Sequence, residues 1–342
     1  MEKKRIAYLD AIKCLAILIV VDLHVLSHGG IDPYNVLSSQ MLYAPVMPLF
    51  FFVSGFLAYK QSITIQECWK NISRKFVFLV IPAVVFRIIL NLAKHVNLFH
   101  FVTGGMGGYW FTVVLFETFL IYYLVTLAIK NEKWRIGVLL ALSLVGIGML
   151  ALDKDFGPAI FDLRRVTKFF QFFVLGTLAK KFRPKYESLM KNEIVKAVLI
   201  VSYFTVLFSL TYDMHLVLHS FLRDVALRYF ATFAIVSFFV CHESDFQRET
   251  KFNSFISLIG QNSLAIYLIH YFFLPHFNPF QIERLTQLNI VTVNLLSMLY
   301  TVAITALCLL FIKFLSNSKY IRKYALGKKN RIKTVKVYLG NE

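Results

Sequence analysis

A bilayer-spanning α-helix needs about 20 mostly apolar residues, and ten stretches of this sequence meet that need. They are residues 6–28, 41–60, 76–96, 109–129, 135–152, 166–181, 194–212, 224–241, 255–275 and 291–315. The sixth is short, and the eighth contains Arg228. Only 16% of the 342 residues are charged, against roughly 25% in a soluble domain, so most of the chain has no water to face. The expectation is an all-α integral membrane protein: a bundle of about ten transmembrane helices over residues 1–318, followed by a basic cytoplasmic tail over 319–342. The opening MEKKR precedes a long apolar run, but no small-residue cleavage site follows before Pro33, so the first span reads as a retained helix.

The formal net charge of +18 does not point to nucleic acid, because the basic residues fall in short clusters between spans. Cytoplasmic loops of membrane proteins collect Lys and Arg. Counting from an inside start, those segments hold Lys3, Lys4 and Arg5, then Lys70, Arg74 and Lys75, then Lys130, Lys133 and Arg135. Lys180, Lys181, Arg183 and Lys185 come next, then Arg248 and Lys251, then the tail. Residues 29–40 and 97–108 have no Lys or Arg, and only 153–165 is mixed. This alternation predicts both termini in the cytoplasm. Cys14, Cys68, Cys241 and Cys308 are scattered and form no C-x-x-C pair, so neither a disulfide framework nor a metal site is expected.

An ionisable group inside a span costs about 2.5–3.5 kcal/mol on insertion scales and is a functional candidate by default. The first span holds Asp10, Lys13, Asp22, His24 and His28. At 100° per residue, Lys13 and His24 lie about 20° apart on one face and roughly 16 Å apart along the axis. Asp10 and His28 flank them, and Asp22 points nearly the other way. Asp10 and Lys13 can simply pair at i, i+3, whereas His24 is too deep to reach the interface. A neutral imidazole there can serve as a general base or a transient nucleophile.

Other spans add candidates. In MPLFFFVSGFL (47–57), Gly55 suits close helix packing, and Ser54 suits either packing or a cavity wall. GGMGGYWFTVVLFE (104–117) opens with glycines, continues through Tyr109 and Trp110, and reaches Glu117, a carboxyl that can orient a His. GQNSLAIYLIHYFF (260–273) places Asn262 and Ser263 at its inner end and His270 deep, where a hydrogen-bonded structural role is the simpler reading.

RIAYLDAIKCLAILIVVDLH, MPLFFFVSGFL, YWFTVVLF, KFFQFFVLGTLAKK and IGQNSLAIYLIH occur in that order. Together they resemble the integral-membrane acyltransferase-3 family, bacterial enzymes that O-acylate sugars and other cell-surface molecules. The D-x-x-K-x10-H pattern of the first span is most similar to the fucose 4-O-acetylase-like branch. The resemblance implies that His24 is the catalytic His, with Lys13 where many members have Arg. Many members carry R-x-x-R after the second span. Here Arg74 and Lys75 match its start, but Val77 and Phe78 stand where the second Arg would fall.

The resemblance further implies acyl-CoA, most simply acetyl-CoA, as a cytoplasmic co-substrate with no permanently bound cofactor. Arg74, Lys75, Ser54 and Trp110 are then the candidates to meet the donor. His24, Lys13 and Glu117 are the catalytic candidates, and Asp10, His270 and Asn262 stand behind them. The acceptor is a cell-surface or lipid-linked sugar, and the setting is a bacterial inner membrane. Two other functions stay open: a transporter or flippase of a polysaccharide precursor, and a non-catalytic membrane partner in polysaccharide synthesis.

Overall fold

The computed structural model describes residues 6–31, 37–93, 95, 97, 105–151, 162–211, 220–324 and 326, and helix is the only regular structure among them. Lys3, Lys4, Arg5, Lys154 and the basic tail from 327 onward lie outside the described residues. The helices are α1 (Ala7–His28), α2 (Leu37–Ala58), α3 (Ile65–Lys75), α4 (Ile81–Ala93) and α5 (Trp110–Ala128). Next come α6 (Glu132–Ala151), α7 (Leu163–Lys181), α8 (Arg183–Lys191), α9 (Glu193–Thr211) and α10 (Ser220–Cys241). The chain ends in α11 (Glu243–Gln247), α12 (Lys251–Ile269), α13 (Pro279–Thr286), α14 (Ile290–Leu315) and α15 (Lys319–Tyr324).

Each of the ten apolar stretches is helical over most of its described residues. Among the described residues, six helical segments are long and apolar enough to cross a membrane: Met41–Ala58, Ile65–Ala93, Gly107–Ala128, Leu222–Cys241, Lys251–Phe272 and Ile290–Leu315. The α8–α9 pair, bent by 68°, makes a seventh if it is one crossing. Helices α1, α6 and α7 are not among them; α1 carries Asp10, Lys13 and Asp22, and α7 carries five basic residues. Residues 65–75, expected as loop, are helical. Thr64 and Glu67 form a reciprocal capping box at the start of α3, and a π turn at Phe76–Val80 carries the chain into α4.

Helix α1 is the centre of the bundle. It packs against α2, α10, α12 and α14, and residues from Tyr8 to Leu26 bury on several sides. The most extensive helix pair is α2 with α7. A Cβ on Gly55 would stand 1.9 Å from the Phe173 carbonyl oxygen, and one on Gly176 would stand 2.0 Å from that of Phe52. The two backbones therefore touch at reciprocal glycines, as small residues permit in membrane helix pairs. The packing reading of Gly55 holds.

One end of the bundle is tied by charge. Glu132 at the start of α6 accepts from Tyr59 beyond α2 (2.9 Å) and pairs with Lys181 at the end of α7 (2.9 Å). Arg135, almost fully buried, pairs with the same carboxylate at 3.6 Å and donates to the Gln61 carbonyl at 2.8 Å. The Lys181 hydrogen bond is the largest of the influences that hold the Glu132 carboxyl below its ordinary range.

Candidate functional site

The stripe on α1 faces α12. At its lower part, Lys13 pairs with Asp10 at 2.7 Å, and the backbone of Asp10 packs directly on Gly260 of α12. At its upper part, His24 meets the 3₁₀ turn His270–Phe272 that ends α12. His24 Nδ1 lies 3.1 Å from His270 Nε2, and His24 Nε2 lies 3.0 Å from the Tyr271 hydroxyl. His270 is fully buried, and its Nδ1 is 3.2 Å from the Ile266 carbonyl oxygen. His28 turns back to the His24 carbonyl at 3.0 Å.

The glycine-rich entry to α5 closes this cluster. Tyr271 also donates to the Gly108 carbonyl at 3.2 Å, and Tyr267 donates to the same oxygen. Tyr109 donates to the Leu268 carbonyl at 3.1 Å. A methyl group on Gly108 would lie 2.4 Å from the Tyr271 hydroxyl, so only glycine lets the ring approach its carbonyl. The Arg87 guanidinium of α4 rests against Gly107 next door.

Beneath the cluster lies a cavity of about 210 Å³. Its polar walls are Lys13, Ser54, Lys75, Gln261 and Ser263, and its aromatic walls include Phe50, Phe111, Phe119 and Tyr267. The Lys75 ammonium sits 3.6 Å from the centre of the Phe119 ring, a cation–π contact. Tyr267 joins cavity to cluster, since its hydroxyl reaches Gly108 and accepts from the Phe111 amide at 3.3 Å. Ligand sites of roughly 300–1,000 Å³ hold drug-sized molecules. This cavity suits the end of a thin arm rather than a whole nucleotide.

The structure brings Lys13, Ser54 and Lys75 to one cavity, and His24 and His270 to one contact. It separates the other candidates. Both ring nitrogens of His24 have partners, and neither is Glu117. The Glu117 carboxylate is buried with no hydrogen-bond partner for either oxygen among the described residues, so it does not orient His24. Trp110 stacks on Phe169, and the Arg165 guanidinium lies over the Trp110 ring, 4.6 Å from its centre. One residue of helix turn aims Phe111, not Trp110, at the cavity. Arg74 is exposed and reaches Asn71 at 3.4 Å. Asn262 bonds the Leu258 carbonyl one turn back at 2.7 Å. Asp22, on the far side of α1, accepts from Thr301 of α14 at 3.2 Å.

Sequence reasoning missed Tyr267, Tyr271 and Gln261. The spacing of Tyr267, His270 and Tyr271, at i, i+3 and i+4, was the available signal, because it puts all three on one helix face.

A family model described as an acyltransferase domain matches residues 6–313 of this sequence. No curated protein and no solved structure matches it.

Proposed function

The chain belongs to the acyltransferase-3 family, and from that membership we propose a membrane-embedded O-acyltransferase. It moves a short acyl group, acetyl in the simplest case, from cytoplasmic acyl-CoA to a hydroxyl of a cell-surface or lipid-linked sugar. The observation that carries the reading is the His24 cluster, joined through Tyr271, the Gly108 carbonyl and Tyr267 to a cavity whose walls include Lys13 and Lys75. A cationic wall suits an anionic donor, and the small volume suits a short acyl group on a narrow thiol arm. Arg74, exposed beside Lys75, meets CoA phosphates in water. Lys13, roughly 16 Å from His24 along the helix axis, holds the arm of the donor in the cavity rather than the reacting carbonyl.

His24 acts as general base. Its Nε2 takes the proton of the acceptor hydroxyl, and the freed oxygen bonds to the thioester carbonyl. The C–S bond breaks, and the proton passes from Nε2 to the thiolate, giving ester and CoA. General base catalysis contributes typically about 10²–10⁴-fold, so His24→Ala is expected to lose transfer by that order. The assay uses purified protein in bilayers with labelled acetyl-CoA and membrane glycan. Full transfer by a properly inserted His24→Ala protein sinks the mechanism, and no acyl-CoA turnover by the unaltered protein favours a transporter.

All ten long helices cross the membrane in this reading, with both termini in the cytoplasm and 319–342 as a basic surface arm near anionic lipid. The tied ends at Tyr59, Glu132 and Lys181 support it, because they gather the basic loops on one side. Impermeant thiol labelling of single cysteines at Gly29 and Asn131 is expected to mark opposite faces; equal labelling from one side rejects it. The setting is a bacterial inner membrane, and the fucose 4-O-acetylase-like branch supplies the sugar class of the acceptor.

A further inference from the structure

The contacts of His24 form a chain that starts at a backbone carbonyl. A carbonyl oxygen only accepts, so the His270 Nδ1 facing Ile266 at 3.2 Å carries a proton. A second proton on His270 would leave an uncompensated charge, since neither ring has a carboxylate partner among the described residues. The Nε2 of His270 is therefore a lone pair. It lies 3.1 Å from His24 Nδ1, and that contact is a hydrogen bond only if His24 Nδ1 carries the proton. The lone pair of His24 is then on Nε2, the nitrogen that meets Tyr271 at 3.0 Å.

We infer that His270 is a positioning residue that fixes the tautomer of His24, so that Nε2 is the basic nitrogen of the transfer reaction. This rests on the reading of His24 as base. When Nε2 takes the acceptor's proton, the positive ring keeps its Nδ1 hydrogen bond to His270, which holds its plane still until the thiolate is protonated. Tyr271 completes the device. Its single hydroxyl proton has two acceptors, His24 Nε2 at 3.0 Å and the Gly108 carbonyl at 3.2 Å. In the resting site the Tyr271 proton occupies the Nε2 lone pair that the acceptor hydroxyl must reach. When the acceptor enters, the proton of Tyr271 turns to Gly108 and Nε2 is released.

The test compares His270→Leu with His270→Gln in the intact protein. Leucine fills the space but accepts nothing; the Gln amide oxygen can accept from His24 Nδ1. His270→Leu is expected to lower kcat by about 10²–10⁴-fold, the order lost when the orienting partner of a catalytic His is removed, with KM for acetyl-CoA little changed. His270→Gln restores most of that loss. A wild-type kcat in His270→Leu, or equal losses in both variants, overturns the inference. The ring ¹⁵N spectrum of the unaltered protein gives a second measure that needs no variant. Labelled His24 is expected to show a proton on Nδ1 and a lone pair on Nε2, and the opposite assignment also overturns it. An active His24→Ala protein instead removes the base reading itself, so the two failures are distinguishable.

Discussion

At the scale of single residues, the site separates groups that a sequence cannot rank. His24 and Glu117 are both ionisable and both inside apolar helices, yet one has two ring partners and the other has no hydrogen-bond partner among the described residues. Burying a carboxylate without a hydrogen bond is costly, so the neutral isostere is the favourable substitution. Glu117→Gln is expected to leave acyl transfer within about twofold of wild type and to match or exceed its thermal stability, because the amide keeps the shape and has no charged form to desolvate. A large loss of transfer in a stable Glu117→Gln protein overturns that expectation. The alignment of Lys13 with His24 was legible from helical period alone, because 100° per residue is fixed by backbone geometry. The i, i+3 pairing of Lys13 with Asp10 was legible too, but the partners of His24 were not, because His270 and Tyr271 lie 246 and 247 positions away from it, and no local pattern encodes which distant helix will face a given side.

At the scale of elements, the apolar runs told where helices lie, since hydrophobic length is a local property. The break between α3 and α4 was less visible. The capping box at Thr64 and Glu67 marks a helix start, but it sits inside a stretch whose charges suggest a loop. Helix pairing is set by surface shape. Gly55 and Gly176 meet Phe173 and Phe52 at backbone distance, whereas a Cβ on Gly137 of α6 would meet nothing within 4 Å. Gly55→Ala is therefore expected to destabilise by the upper part of the roughly 1–3 kcal/mol typical of overpacking. Gly137→Ala should be neutral or stabilising by up to about 1 kcal/mol, from helix propensity. Thermal denaturation in one detergent reads both, and equal effects count against the backbone contact.

At the scale of the whole molecule, the Glu132 tie links α2, α6 and α7 at one end, and its carboxyl is held below the ordinary value. A group depressed in the folded state adds stability that is fully present above its unfolded value and is lost as pH falls through the folded one. The melting temperature should drop as pH descends through the carboxylate range. Glu132→Gln should flatten part of that drop, by no more than about 1 kcal/mol for a partly exposed pair; an unchanged profile rejects the tie. The position of α1 has a consequence in time. This helix leaves the ribosome early, with Asp10, Lys13, Asp22 and His24 already on it. The partners of its upper polar groups are His270, Tyr271 and Thr301, which are made some 250 residues later. If α1 crosses the membrane as proposed, those groups face lipid or the insertion machinery until then, at about 2.5–3.5 kcal/mol per charged group on insertion scales. The central helix of the bundle is made well before the helices that satisfy its upper polar groups, so biogenesis must shelter it until they arrive.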